Sequence, residues 1–154
     1  MIDKLTGADN IGSFHTIYIA FAKDFPDIHP DQVFVPISVV EQNWSAFEQV
    51  YVTPSSGLYK QEQQGSVHGS FYLQKISFSI PRNRLEVVEG LRKYVGADIL
   101  CLIVTHNYDR ILAGSQSQPL AIGNDLNFGN NPGDFNHCAV SISGKSINPT
   151  CFTW

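Results

Sequence analysis

The chain has 154 residues, 43% of them hydrophobic and only 16% charged, which suits one domain, residues 1–154, with a single core. That charged fraction lies below the roughly 25% of typical soluble domains, so a long disordered tail is not expected and much of the surface must be Ser, Asn, Gln, Thr and Gly. The net charge is -4 and the ten basic residues are scattered except around Arg82, Arg84, Arg92 and Lys93, which argues against sequence-specific nucleic-acid binding through a basic surface.

Residues 14–22 (FHTIYIAFA) read as a strand that is apolar on both faces and therefore central or covered twice. A Pro/Asp loop follows at 25–31. Residues 33–40 (VFVPISVV) read as a second strand, with Pro36 placing it at an edge or a bulge because proline donates no ladder hydrogen bond. Residues 41–52 are ambiguous: Trp44, Phe47 and Val50 have helical spacing, whereas Val50, Tyr51 and Val52 suit a strand at the end of the segment. The polar stretch 53–69 (TPSSGLYKQEQQGSVHG) reads as a long loop or as a hairpin arm extending from the body.

Residues 70–80 (SFYLQKISFSI) form the clearest strand pattern. Phe71 and Leu73 share one parity and Ile76, Phe78 and Ile80 the other, so a β-bulge near Gln74 and Lys75 is expected to bring both sets to one face. Residues 83–95 carry the one clear helix signal: Asn83 as cap, Glu86 three residues later, an apolar stripe of Leu85, Val88, Leu91 and Val95, and Gly96 as terminator. Residues 99–106 (ILCLIVTH) read as a buried strand that turns at 107–109 and returns over 110–113. A short strand is expected at 120–122 and a glycine/asparagine loop at 123–133. Residues 138–143 and 147–152 read as a closing hairpin turning at Gly144 and Lys145. The fold class is thus mainly β with one short α-helix, a sandwich or barrel.

The N-terminus lacks a basic region followed by an apolar run, so no secretory leader is expected, and the apolar runs at 17–22 and 99–104 are too short to span a bilayer. Cys101, Cys138 and Cys151 cannot all pair internally, Cys101 lies in an apolar run, and no C-x-x-C occurs. These features suit a reducing compartment. His15, His29, His68, His106 and His137 lie on separate segments and form no helical metal pair. The group Asp24, Asp27, His29 and Asp31 reads more simply as a solvated turn than as a metal site. The oxygen-rich run of Asn124, Asp125, Asn127, Asn130, Asn131 and Asp134 lacks calcium-loop spacing and suits plain turns. Gly114-Ser115-Gln116-Ser117-Gln118 misses the closing glycine of a nucleophile elbow. Gly144-Lys145-Ser146 lacks the glycine that opens a phosphate loop, Ala139 standing in its place. Cys101 and His106 on one strand point to opposite faces. Neither an enzyme nor a cofactor is expected.

The run at 70–122, a long strand, "IP", a capped helix, a buried strand, a turn and a returning strand with "ILAGSQSQPL", resembles small structural proteins in the tail modules of bacteriophages, particularly those of Bacteroidetes hosts. Strands, one helix and then more strands are also similar to the tail-tube fold of tube, tail-terminator and distal-tail proteins. The resemblance implies a virion component, assembled in the host cytoplasm, whose copies form a ring around the DNA channel and contact neighbouring tail proteins. It implies that segment 53–69, with Tyr59, Lys60, Gln61, Glu62, Gln63 and Gln64, is an assembly arm. A surface poor in charge suits such pairing between copies. The alternative is a non-catalytic β-sandwich module holding carbohydrate or a protein partner on Trp44, Tyr51, Tyr59 and Tyr72, although core packing accounts more simply for Trp44 and Tyr72.

Overall fold

The computed structural model describes residues 14–27, 34–53, 56–81, 85–106, 109–127, 137–146 and 151–153. Ten strands and two short helices follow in the order β1 (Phe14–Phe21), β2 (Phe34–Val35), α1 (Ile37–Gln42), β3 (Glu48–Tyr51), β4 (Leu58–Ser66), β5 (Gly69–Pro81), α2 (Leu85–Arg92), β6 (Ile99–Thr105), β7 (Arg110–Ala113), β8 (Ala121–Asn127), β9 (His137–Ser146) and β10 (Cys151–Thr153). Six strands form one sheet in the order β2-β10-β7-β6-β1-β3, and four form another in the order β4-β5-β9-β8. All neighbours are antiparallel except β10 and β2. The protein is mainly β with a sandwich layout, as its sequence leads one to expect.

Alternation builds the main core. Ile17 and Ile19 of β1 and Ile99, Cys101 and Ile103 of β6 face the four-stranded sheet, where Ile76, Phe78 and Ile80 of β5 and Cys138, Val140 and Ile142 of β9 meet them. Burying each of these larger side chains contributes about 1.5–3 kcal/mol. Strand β6 is apolar from Ile99 to Val104 because its other face is also covered. Leu100 and Leu102 join Ala20, Leu112, Phe25 and Val35 in a second cluster closed by Val40 of α1 and by Phe47. Strand β1 is likewise central and covered twice, as its composition requires.

Several expectations are corrected. Only Phe34 and Val35 of the segment 33–40 are strand, and helix α1 follows. Pro36 (φ -58°) stands at the N-cap and its fixed φ leads into the helix, while burial of Val40 outweighs the strand preference of the β-branched residues. Pro36 is therefore not an edge or bulge residue within a strand: it follows β2 and caps α1. Segment 41–52 passes through a 3-10 turn (Trp44–Ala46) and ends as strand β3.

No bulge interrupts β5. Its pairing with β4 and β9 runs without a register shift, so Phe71 and Leu73 lie on the outer face and Ile76, Phe78 and Ile80 on the inner one. The helix expected over 83–95 is confined to Leu85–Arg92, and Asn83 lies outside the described residues. Residues 93–96 continue as turns ending at Gly96 (φ 78°), whose left-handed backbone suits glycine. Past the helix end the stripe loses phase: Tyr94 is buried and Val95 half exposed.

The expected loop 123–133 begins as strand, for β8 extends to Asn127. The expected closing hairpin does not form. Strand β9 continues through Gly144 and Lys145, and β10 joins the other sheet between β7 and β2. Gly144 is there for close approach: a Cβ would lie 2.6 Å from Leu120 Cδ2 and 2.9 Å from the Pro119 carbonyl oxygen.

Candidate functional site

Within the segment 53–69, strand β4 forms a hairpin with β5. Nine-residue β4 pairs with β5 from Leu58 opposite Ser77 to Ser66 opposite Gly69, turning at Val67 and His68. Val67 at the tip is 99% exposed. All six residues expected on the arm lie on β4 and alternate between its faces. Tyr59 is opposite Ile76, Gln61 opposite the buried Gln74 and Gln63 opposite Tyr72, so these three share the inner parity. Lys60, Glu62 and Gln64 lie opposite Lys75, Leu73 and Phe71 on the outer one. The Tyr59 hydroxyl donates to Gln61 Oε1 at 3.4 Å.

The sheet register gathers charges that are far apart in sequence. Lys60 pairs with Glu62 at 2.5 Å, and Lys75 lies directly across from Lys60. The hydrogen bond from Lys60 first, then the charges of Lys60 and Lys75, hold the Glu62 carboxyl below the ordinary carboxylate range. Lys145 of β9 sits over the Phe71 ring at 5.2 Å. The expectation of scattered basic residues is therefore corrected on this face, where Lys60, Lys75 and Lys145 meet Glu62. Leu73 lies between Glu62 and Lys145, and Leu58 is exposed opposite Ser77; toward β9 the face turns small and polar, with Ser77 opposite Ser141, Lys75 opposite Ser143 and Ser79 beside Ala139. Sequence reading missed these residues. The signal was present in the alternation of Ser77 and Ser79 with Ile76, Phe78 and Ile80, and of Ser141 and Ser143 with Val140 and Ile142.

Both edges of this sheet are long. Among the described residues, β4 and β8 each have one hydrogen-bonded neighbour strand, β5 and β9 respectively. Among the described residues these two edge strands run for nine and seven residues, long enough to take a further strand. In the other sheet the edge strands β2 and β3 have two and four residues.

The aromatic residues do not share one surface. Trp44 packs on Tyr18 and Phe47 at ring separations of 4.7 and 5.9 Å beyond the six-stranded sheet. Tyr51 is exposed on edge strand β3, whereas Tyr59 and Tyr72 are half buried in the arm. Among the described residues no three His, Cys, Asp or Glu side chains gather as a metal site. His29 and Asp31 of one proposed group, and Asn130, Asn131 and Asp134 of the other, lie outside the described residues; Asn124, Asp125 and Asn127 are strand residues of β8. Cys101 and Cys138 are buried and in no disulfide among the described residues, and burial pushes the Cys101 pKa well above the usual thiol range. No described helix is long and apolar enough to cross a membrane.

One further polar cluster ties α2 to β3. The Tyr94 hydroxyl donates to Glu48 Oε2 at 2.7 Å, and Lys93 pairs with the same oxygen. The Lys93 hydrogen bond, then that of Tyr94, lowers the Glu48 pKa; burial, then Glu48, raises that of Tyr94. A depressed carboxylate adds stability above its unfolded pKa and loses it as pH falls through the folded value. Glu48→Gln is therefore expected to cost at most about 1 kcal/mol at neutral pH, because Glu48 is largely solvated, and less at about pH 3, since the contribution is lost as pH falls through the folded value. Urea unfolding at the two pH values checks this; an equal loss at both would assign Glu48 a packing role only.

No known protein family, no curated protein and no solved structure matches this chain.

Proposed function

We propose that this protein is a structural assembly subunit whose copies join through the edges of the four-stranded sheet, as a ring component of a bacteriophage tail or neck. The observation that carries the reading is the polarity of those edges. Successive antiparallel pairing makes β4 and β8 run in opposite directions. When β8 of one copy meets β4 of the next, the junction is therefore antiparallel and the alternation continues unbroken. Such a head-to-tail contact closes into a ring when its rotation closes. The placement in a phage tail rests on the resemblance carried by residues 70–122.

In this arrangement the outer face of the four-stranded sheet lines the channel. Its serines near β9 are hydrated, Leu58, Phe71 and Leu73 add apolar ground toward the hairpin, and Lys60, Lys75 and Lys145 are partly offset by Glu62. Contact with phosphates would be non-specific and salt-sensitive. The six-stranded sheet and both helices then face outward, and the arm tip reaches a neighbouring subunit or ring.

The test is the mass in solution. Replacing residues 62–73 by Asn-Gly keeps Gln61 opposite Gln74 across a two-residue turn and removes the outer arm. The full chain is expected to scatter light as a closed oligomer and the shortened chain as a monomer with the same β-sheet circular dichroism. A full chain that stays monomeric at about 100 μM, or a shortened chain that keeps the oligomer, would overturn the reading.

A further inference from the structure

We propose that the groove between α1 and the outer face of the six-stranded sheet is a binding site for a neutral saccharide, stacked on Trp44 and oriented by Glu41 and Arg110. The groove is lined by Val40 of α1 and by Leu102 of β6 and has a volume of about 560 Å³, which falls among ligand sites of roughly 300–1,000 Å³. Trp44, just past α1, stands on one wall, and Tyr18 of β1 lies against it with ring centroids 4.7 Å apart, tilted at 60°. Phe47 supports the indole from another side at 5.9 Å. The indole is thus fixed in place, yet Trp44 remains 45% exposed. A large aromatic held rigidly by two rings and left half open is a platform: its position is set before any ligand arrives, so little ordering is needed on binding.

The polar groups narrow the ligand class. Glu41, from α1, and Arg110, from β7 of the sheet, both line the groove, and Thr16 adds a hydroxyl. The ion pairs among the described residues join Lys60 to Glu62 and Lys93 to Glu48, so neither Glu41 nor Arg110 is spent there. One cation and one anion leave the groove without a preferred sign, and a ligand carrying net charge would be drawn to one group and repelled by the other. An apolar peptide would cover the indole but desolvate two charged groups without giving them partners. A sugar ring meets both requirements. Its C–H face lies on the indole, and each hydroxyl donates to the Glu41 carboxylate or accepts from the Arg110 guanidinium, giving charge-assisted hydrogen bonds with no charge on the ligand. The site is independent of the sheet edges and is available in monomer or ring.

The test uses three neutral oligosaccharides, maltohexaose, cellohexaose and chitohexaose, added to the intact ¹⁵N-labelled protein. The chain has two tryptophans, so its two indole N–H signals are assigned with a Trp154→Phe variant. At least one sugar is expected to shift the Trp44 signal saturably, with Kd of about 0.01–1 mM. Because Trp44 also packs on Tyr18 and Phe47, the exposed variants Glu41→Gln and Arg110→Ala carry the comparison. Each is expected to weaken binding about tenfold while the remaining spectrum is unchanged. Silence of the Trp44 signal with all three sugars at about 10 mM, or unchanged affinity in both variants, would overturn the proposal. A Leu/Pro-rich decapeptide that moves the signal where the sugars do not would also overturn it and assign the groove to a protein partner.

Discussion

Phe78→Ala is expected to lower the unfolding free energy by about 3–5 kcal/mol, the largest effect of any single truncation considered for this fold. Phe78 lies in the C-terminal part of β5, opposite Val140 of β9, and is 3% exposed between the two sheets. Its ring meets Phe14 edge to face at a centroid separation of 6.2 Å, at an interplanar angle of 72°. Alanine removes that contact, the burial of the ring and the contacts the surrounding side chains make with it. The ladder with β9 and the hydrogen bond from the Thr53 N–H to the Ser79 carbonyl hold the backbone, so the gap can collapse only in part. Against a total of roughly 5–15 kcal/mol for a domain, the variant would be marginal at 37 °C. Urea unfolding followed by circular dichroism should show a lower midpoint with an unchanged slope. Phe78→Leu should cost visibly less. A loss below about 1 kcal/mol for alanine would mean that the two sheets do not close on each other as described.

Gly144→Val should cost about 3 kcal/mol or more, for the opposite reason. The strap that leads from β7 to β8 crosses the inner face of β9 at this point. Ser146 Oγ donates to Gln118 Oε1 at 2.8 Å just beyond it, and Leu120 bridges to Ile99. A Cβ at residue 144 would press within 2.9 Å of the Pro119 carbonyl oxygen, a backbone atom fixed by the strap. The neighbour cannot swing away as a side-chain end would. Gly65 supplies the control, since a Cβ there meets nothing within 4 Å. Gly65→Ala is expected to be neutral or slightly stabilising through the unfolded state. Comparing the two variants in one thermal-melt series separates a loss of space from a general effect of removing glycine. Equal, small shifts for both would show that the strap yields.

Much of the scaffold is legible in the sequence because its signals are local. Strands β1, β5, β6 and β7 follow from apolar runs bounded by turn residues, and β7 over 110–113 follows from the turn before it. The arm is legible as a polar segment between two strand patterns. Helix α1 is not: its Ile-Ser-Val-Val stretch has the composition of a strand, and only the need to cover Leu100 and Leu102 makes it helical. The glycine at 144 is visible, but whether it serves a turn or a crossing depends on Pro119 and Leu120, which no periodicity brings near it. The same limit hides the lysine face and the groove. Residues 60, 75 and 145 meet only through the register of β4, β5 and β9, and Trp44, Glu41 and Arg110 only through packing of α1 and β7 on one sheet.

The two sheets also differ in how soon they can form. In the six-stranded sheet Thr16 pairs with Val104 and Phe34 with Phe152, so closing it requires distant parts of the chain to find one another. Folds dominated by such pairings take milliseconds to seconds. The β4–β5 hairpin needs only a two-residue turn and forms on the order of 1–10 μs. Its free edge is therefore exposed through most of the folding time, before the core behind it is closed. A nascent chain at high concentration can pair at that edge prematurely, and the Lys60–Glu62 pair, projecting from the strand, is the feature that slows wrong pairing while the slower sheet catches up.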